Sequence, residues 1–233
     1  MVFIITRRNQ GFESSINNNL LATQKLMEAS LKNEVNRFLY ASSSSVYGNA
    51  DTAEQQRIES PISPYGVTKL AVDQLGRVYG GRGLQTVGMR YFTVYGPRQR
   101  PDMAMNRLFR AALPGDFRFS LRGDGTQKRE FTYVSDVVDA TLALSQCSVP
   151  AGSTFDIGGG NSRSVLGVIS DIERLVGSPC RIKEVSSAPG DPKSTEAMLG
   201  PISEATGWKP KVGLEDGLSA QYLWQEHQLS LSR

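Results

Sequence analysis

Short runs of β-branched and aromatic residues alternate with amphipathic stretches through the first half of the chain. This alternation restricts the fold more than any other feature of the sequence. Val2-Phe3-Ile4-Ile5-Thr6 reads as a buried strand, and Arg37-Phe38-Leu39-Tyr40-Ala41 as another that runs into four serines, Ser42 to Ser45. Gln85-Thr86-Val87-Gly88-Met89-Arg90-Tyr91-Phe92 reads as a third. Between them, Asn17-Asn18-Asn19 offers capping residues ahead of an amphipathic helix from Leu20 to Ala29. Pro64 opens a helix from about Tyr65 to Tyr79, which Gly80-Gly81 ends. Strand and helix in alternation predict the α/β class, with a parallel sheet at its centre.

The second half is less regular. Phe117 to Leu121 alternates like a strand and stops at the turn Gly123-Asp124-Gly125. Ser135-Asp136 is expected to cap a helix through about Leu144, and Thr154-Phe155-Asp156-Ile157 to form a strand ending in Gly158-Gly159-Gly160. Helices are expected over Val165 to Val176 and Leu214 to Leu229. The pattern predicts a smaller, mixed α/β C-terminal lobe beside the sheet.

Composition removes several chemistries. His227 is the single histidine, and Cys147 and Cys180 are the only cysteines, far apart. No H-E-x-x-H or C-x-x-C zinc pattern can be assembled, and a histidine-based hydrolase would rest on one residue near the C-terminus. No metal site is expected. Net charge is +3 and the basic residues are scattered, which argues against a nucleic-acid stripe. Arg98, Arg100, Arg107 and Arg110 would suit a small phosphorylated molecule better. The opening apolar run is too short for a signal or membrane segment, and two unframed cysteines fit a reducing cytoplasm.

Catalysis here is expected from Ser, Tyr, Lys or carboxylates. Tyr65-Gly66-Val67-Thr68-Lys69 puts a phenol and an ammonium four residues apart, on one helix face. A nearby cation favours phenolate and makes tyrosine a usable general base or acid. Alone, the pair also fits a surface lysine beside a core aromatic. Ser42 to Ser45 follow a strand, at the end where open α/β sheets hold ligands, though such a run also suits a polar loop.

Taken together, these residues resemble a known family. Y-A-S-S-S-S-V-Y-G at 40–48, Y-G-V-T-K at 65–69 and R-Y-F-T-V-Y-G-P-R-Q-R-P-D at 90–102 are similar to the extended short-chain dehydrogenases/reductases, and within them to the nucleotide-sugar epimerases and dehydratases. The resemblance continues through G-D-G-T-Q-K-R-E-F-T-Y-V at 123–134, Asp156 to Gly160, Pro189-Gly190-Asp191 and Gly207-Trp208-Lys209-Pro210. It implies a Rossmann-type sheet, NAD as cofactor, a UDP-sugar substrate and a homodimer paired through helices that include Tyr65–Tyr79. It also implies an NAD-binding part over 1–110 and a nucleotide-sugar-binding part over 111–233, partly interleaved. By correspondence, Ser43, Tyr65 and Lys69 are catalytic. Asn19, Ser43, Tyr65, Lys69 and Phe92 would line the cofactor, and Thr93, Arg129 and Asp191 would meet the nucleotide-sugar, with Arg129 on the diphosphate. Outside the family, Arg129 would read as a surface ion pair with Glu130, and Gly158–Gly160 as a turn into a helix.

Relatives that dehydrate a 4-keto sugar carry Asp-Glu directly after the catalytic hydroxyl residue, whereas Ser44 and Ser45 stand here. Without that acid and base the elimination lacks its proton transfers, which favours C4 epimerisation over dehydration or decarboxylation. The sequence departs from the family at its start. Val2–Thr6 is followed by Arg7-Arg8-Asn9-Gln10 and a single glycine, Gly11, in place of G-x-x-G-x-x-G. One βαβ unit needs about 30 residues, and twelve separate Thr6 from Asn19. The expectation is therefore either a sequence that omits part of a longer enzyme or a truncated, weakly active remnant that still binds nucleotide-sugar. Ala188, and Met198-Leu199 in place of a usual Ala-Asp, are smaller departures.

Overall fold

The computed structural model describes residues 11–49, 58–186 and 193–231. The expected strand Val2–Thr6 lies outside the described residues, as does Asp191. The chain enters through α1 (Phe12–Ser15), which continues through a π-helical stretch, Ile16–Leu21, into α2 (Ala22–Lys32). Then come β1 (Phe38–Ser43), a 3-10 turn over Ser44–Val46, α3 (Pro64–Gly81) and β2 (Thr86–Tyr91). Two short elements follow, β3 (Thr93–Tyr95) and α4 (Ala104–Ala112). Next are β4 (Phe119–Arg122), β5 (Lys128–Tyr133), α5 (Val134–Gln146) and β6 (Ser153–Ile157). The chain closes with β7 (Ser162–Ser164), α6 (Val165–Val176), β8 (Ile182–Val185), α7 (Gly200–Thr206) and α8 (Leu214–Leu231).

β1, β2 and β6 form an all-parallel sheet in the order β1-β2-β6. All six β1 residues are buried, which is why that strand reads as an unbroken run rather than an alternating one. Phe38 and Tyr40 face one way and pack with Met27, Val72 and Tyr79 from α2 and α3. Leu39 faces the other way, among Val87, Met89, Phe155 and the α5 residues Val137, Ala140 and Leu144. Helices thus cover both faces of the sheet, as parallel pairing requires. A second sheet runs β3-β5-β7, and β4 pairs with β8. Their shared core gathers Tyr95, Met105, Phe109, Phe119, Phe131 and Ile172.

α3 lies close on the sheet because the side chain of Tyr40 is wedged between two glycines. A Cβ built at Gly76 of α3 would lie 2.3 Å from the Tyr40 hydroxyl oxygen, and one at Gly88 of β2 would lie 2.6 Å from it. The ring, 3% exposed, has nowhere to retreat. Gly88→Ala is therefore expected to destabilise the fold by about 3 kcal/mol, the upper part of the range for overpacking a filled core. Urea unfolding checks this: an unchanged midpoint would refute the wedge, whereas adding Tyr40→Leu should recover part of the loss.

Three sequence expectations are corrected. Asn17–Asn19 do not cap a helix, since the helix begins at Phe12 and they lie inside its π-helical stretch. Asn19 is fully buried there, and its amide donates to the Thr68 hydroxyl at 3.3 Å, so a polar residue belongs within the helix. Asp136 does not cap α5: its carboxylate accepts the Val212 N–H at 3.0 Å instead, and no side chain caps that helix. Gly158 and Gly159 do more than turn the chain. A Cβ at Gly158 would lie 2.0 Å from Glu130 Oε1, and one at Gly159 2.0 Å from the Phe131 carbonyl oxygen, so both glycines admit β5 at close range.

Candidate active site

The parallel sheet fixes where the chemistry collects. Ser43 of β1, Tyr91 of β2 and Ile157 of β6 stand abreast in register at the carboxyl ends of the strands. Ligands of open α/β sheets bind at this end. Ser43 leaves β1 in extended conformation and caps the 3-10 turn, with its hydroxyl accepting the Ser45 N–H at 3.2 Å and donating to the Ser45 hydroxyl at 3.1 Å.

Helix α3 brings the other two catalytic candidates. Ser63 caps it by accepting the Gly66 N–H at 3.1 Å, and Pro64 occupies the first turn, so the sequence dictates where the helix starts. Its first turn rests on the serine turn: a Cβ at Gly66 would lie 2.4 Å from the Ser45 carbonyl oxygen. Tyr65 is half-buried and Lys69 is 2% exposed, with Lys69 Nζ 5.8 Å from the centre of the Tyr65 ring. Lys69 Nζ also donates to the Ala41 carbonyl of β1 at 2.9 Å. Asn19 joins the group through Thr68, whose hydroxyl donates to the Tyr65 carbonyl at 2.8 Å. Phe92, 1% exposed, packs beside Tyr47 with ring centres 6.4 Å apart, and its N–H donates to Ile157.

The structure thus gathers Asn19, Ser43, Tyr65, Lys69 and Phe92 around one strand end. Thr93 and Arg129 sit on the second sheet, where Thr93 pairs with Phe131 and Arg129 with Arg163. Glu130 does not serve Arg129 as a surface partner: it is 1% exposed, and its two oxygens accept the N–H groups of Gly160 and Ala197.

Burial pushes the Lys69 ammonium down to about 8, while the Asp73 carboxylate one turn along α3 opposes the fall. An unfolded lysine keeps its proton to about 10.4. The unfolded chain therefore binds more protons between pH 8 and that value, and unfolding free energy gains from Lys69 as pH rises through this window. Below pH 8 the buried charge is a full liability to the fold. Carbon-13 NMR of lysine-labelled protein should show the Lys69 midpoint near 8, and lower still in Asp73→Asn. A Lys69 midpoint above 10 would refute the burial argument.

Sequence reasoning missed a buried charge network behind this site. Ser42, Arg90 and Asp156 occupy one rung across the three strands. Arg90 donates through Nε to Asp73 at 2.9 Å, through Nη1 to the Tyr47 hydroxyl at 2.8 Å, and through Nη2 to Glu59. The Tyr47 hydroxyl donates to Asp156 at 2.6 Å. Burial raises the Asp73 and Asp156 carboxyls above their ordinary range, and Arg90 pulls against the rise in both. Glu59 is also pushed up by burial, yet Arg90 and Arg77 outweigh this and hold it low. The signal was present: one charged residue interrupts each of two otherwise apolar strands, M-R-Y-F and T-F-D-I.

A second feature had no motif. An open cleft of about 850 Å³ lies beside the paired strands β4 and β8, lined by Pro101, Asp102, Arg107, Phe117, Ser120, Arg122, Val185 and Ser186. The Arg107 guanidinium lies 5.8 Å from the Phe117 ring and 5.4 Å from Phe119. Its walls do not include Ser43, Tyr65 or Lys69.

A hydroxyl, a phenol and a buried ammonium at the ends of parallel strands define a site of the short-chain dehydrogenase/reductase type. The donor set suits the ribose and nicotinamide of a dinucleotide. Residues 5–158 match the NAD dependent epimerase/dehydratase family, and the chain belongs to that family. It is 39% identical over 203 residues to the uncharacterized UDP-glucose epimerase YtcB of Bacillus subtilis, covering 86% of this chain and 64% of that protein. A UDP-glucuronate 4-epimerase of Thermodesulfobacterium geofontis is 31% identical over 93% of this chain and 67% of its own length. The chain thus spans about two thirds of these relatives. Among solved structures, MoeE5 in complex with UDP-glucuronic acid and NAD superposes with a TM-score of 0.90 at 40% identity, covering 94% of this chain and 74% of MoeE5. The Rossmann-type fold is therefore established, and NAD is the family's cofactor. No helix among the described residues is long and apolar enough to cross a membrane.

Proposed function

We propose that this chain carries the active site of an NAD-dependent 4-epimerase of UDP-sugars, with UDP-glucose and UDP-glucuronate as the leading substrates. The observation that carries this reading is the grouping of Ser43, Tyr65 and Lys69 at the sheet's carboxyl end, with serines at 44 and 45 where dehydration would need an acid and a base. Relatives named as UDP-glucose and UDP-glucuronate epimerases support it.

In this reading Tyr65 takes the proton of the C4 hydroxyl and later returns it. Lys69 holds positive charge against the phenolate, and Ser43 hydrogen-bonds the reacting oxygen. When bound, NAD supplies the hydride acceptor and donor. Lys69, Asn19 and Phe92 would hold its ribose–nicotinamide end, within residues 1–110. Arg129 and Asp191, within residues 111–233, would hold the nucleotide-sugar together with Thr93 from the first part, with which that lobe is partly interleaved. The cleft beside the β4–β8 pair suits the nucleoside end, because guanidinium groups beside an aromatic ring complement both a base and phosphate. Val67 and Val78, about half exposed on α3, support pairing of two copies through that helix.

The test is to incubate the chain with NAD and each of UDP-glucose, UDP-glucuronate and their N-acetyl analogues, without added reductant. Interconversion of C4 epimers is expected. A 4-keto-6-deoxy or pentose product would instead favour dehydration or decarboxylation. Binding of UDP without turnover by any substrate would favour a nucleotide-sugar-binding remnant.

A further inference from the structure

Two buried carboxylates outside the catalytic group grip one short piece of chain. Glu130 of β5 is 1% exposed, and Asp156 of β6 is 4% exposed. Glu130 Oε2 accepts the Ala197 N–H at 2.6 Å, and Asp156 Oδ2 accepts the N–H of the next residue, Met198, at 3.0 Å. The Glu130 N–H donates to the Thr195 hydroxyl at 3.2 Å, and the Lys128 N–H to the Lys193 carbonyl at 2.9 Å. Residues 193–198 therefore run beside the strand that carries Arg129 and end over the catalytic turn. There Ala197 packs against Val46, Tyr47 and Phe92.

The remaining oxygens of the two acids point back into the frame. Glu130 Oε1 accepts the Gly160 N–H at 2.8 Å, and Asp156 Oδ1 accepts the Tyr47 hydroxyl at 2.6 Å. Each carboxylate therefore joins a fixed element with one oxygen and the 195–198 segment with the other. At Glu130 only a carboxylate can do this, because both partners are N–H donors and both oxygens must accept. A carboxamide at 130 would turn an NH2 group towards one of these donors, whereas at 156 the Tyr47 hydroxyl could turn to accept from a carboxamide, so there the acceptor itself must be removed.

We propose that Glu130 and Asp156 are positioning residues which clamp segment 195–198 between the Arg129 strand and the Ser43–Tyr47 turn, and so set how tightly a uridine nucleotide is seated. The proposal rests on the UDP-sugar reading above. Neither acid touches the reacting atoms; both act through the segment they hold.

The experiment compares wild type with Glu130→Gln and Asp156→Leu, all as the full chain. Amide hydrogen exchange at Ala197 and Met198 should be slow in wild type and faster by roughly tenfold or more in each variant, the scale of one lost charge-assisted hydrogen bond. Exchange within β1 and β2 should change little, which separates the clamp from general destabilisation. Calorimetry with UDP should show affinity falling by a similar factor. Unchanged exchange at both amides would overturn the clamp, and faster exchange with unchanged UDP affinity would overturn its role in seating the nucleotide. Should either variant fail to fold, Thr195→Val removes the hydroxyl partner of Glu130 without touching a buried charge. It should move both readouts in the same direction, and no movement would overturn the proposal. A wild-type chain that binds no UDP overturns the substrate reading alone, and the exchange data then decide the clamp.

Discussion

Tyr65→Phe is expected to lower epimerase turnover by about a thousandfold while leaving the fold intact. The substitution removes one oxygen from a half-buried ring in the first turn of α3. The ring face lying 5.8 Å from Lys69 Nζ remains, so the cation still has its aromatic neighbour. What disappears is the group that takes and returns the proton in the proposed mechanism, and positioned acid–base groups contribute about 10²- to 10⁴-fold. Turnover of UDP-glucose and UDP-glucuronate, measured beside a thermal melt, checks the expectation. Full activity with an unchanged melt would sink the mechanism.

Arg90→Met should give the largest loss of stability among single substitutions. The methionine keeps the apolar stem but removes the guanidinium that serves Asp73, Tyr47 and Glu59. Breaking a buried ion pair from one side costs about 3–5 kcal/mol, because the abandoned charge stays buried. Asp73 is fully buried and is the charge most exposed to that penalty. The double variant Arg90→Met/Asp73→Asn should therefore be more stable than Arg90→Met alone. Chemical denaturation of both chains tests the pair. A single variant with wild-type stability, or a double variant less stable than the single one, would contradict the account.

Much of the frame was legible from local pattern. Helix α6 was expected over Val165–Val176 and occupies that range, since Ser164 caps it and Gly177 ends it in the left-handed conformation. The start of α3 was equally plain from Pro64, and the structure adds Ser63 as its cap. β2 proved shorter than its apolar run: it ends at Tyr91, and Thr93 enters the second sheet, because pairing with Phe131 competes with continued pairing on β6. The start of the first helix was misread because asparagines commonly cap, and only the distant Thr68 explains a buried Asn19.

The candidate site divides in the same way. Tyr65 and Lys69 could be paired because a helix places i and i+4 together. Arg90 and Asp156 could not, since nothing local tells a strand which neighbour it will find at a given rung. The cleft beside β4 and β8 depends on a pairing between segments about 60 residues apart in the chain, Phe119 with Ile182, and carries no spacing signature.

The rung that aligns Ser42, Arg90 and Asp156 also bears on the order in which a growing chain can mature. A ribosome delivers β1 and β2 well before β6, and domains fold from the N-terminal side during synthesis. Until Ile157 emerges, the Tyr47 phenol lacks its Asp156 acceptor and the Phe92 N–H lacks the Ile157 carbonyl. The candidate serine, tyrosine and lysine are all synthesised by residue 69, yet their neighbours Tyr47 and Phe92 gain these partners only from a strand that begins at Ser153. A nascent chain halted ahead of that strand would hold Ser43, Tyr65 and Lys69 but lack the Asp156 and Ile157 contacts that fix Tyr47 and Phe92 beside them.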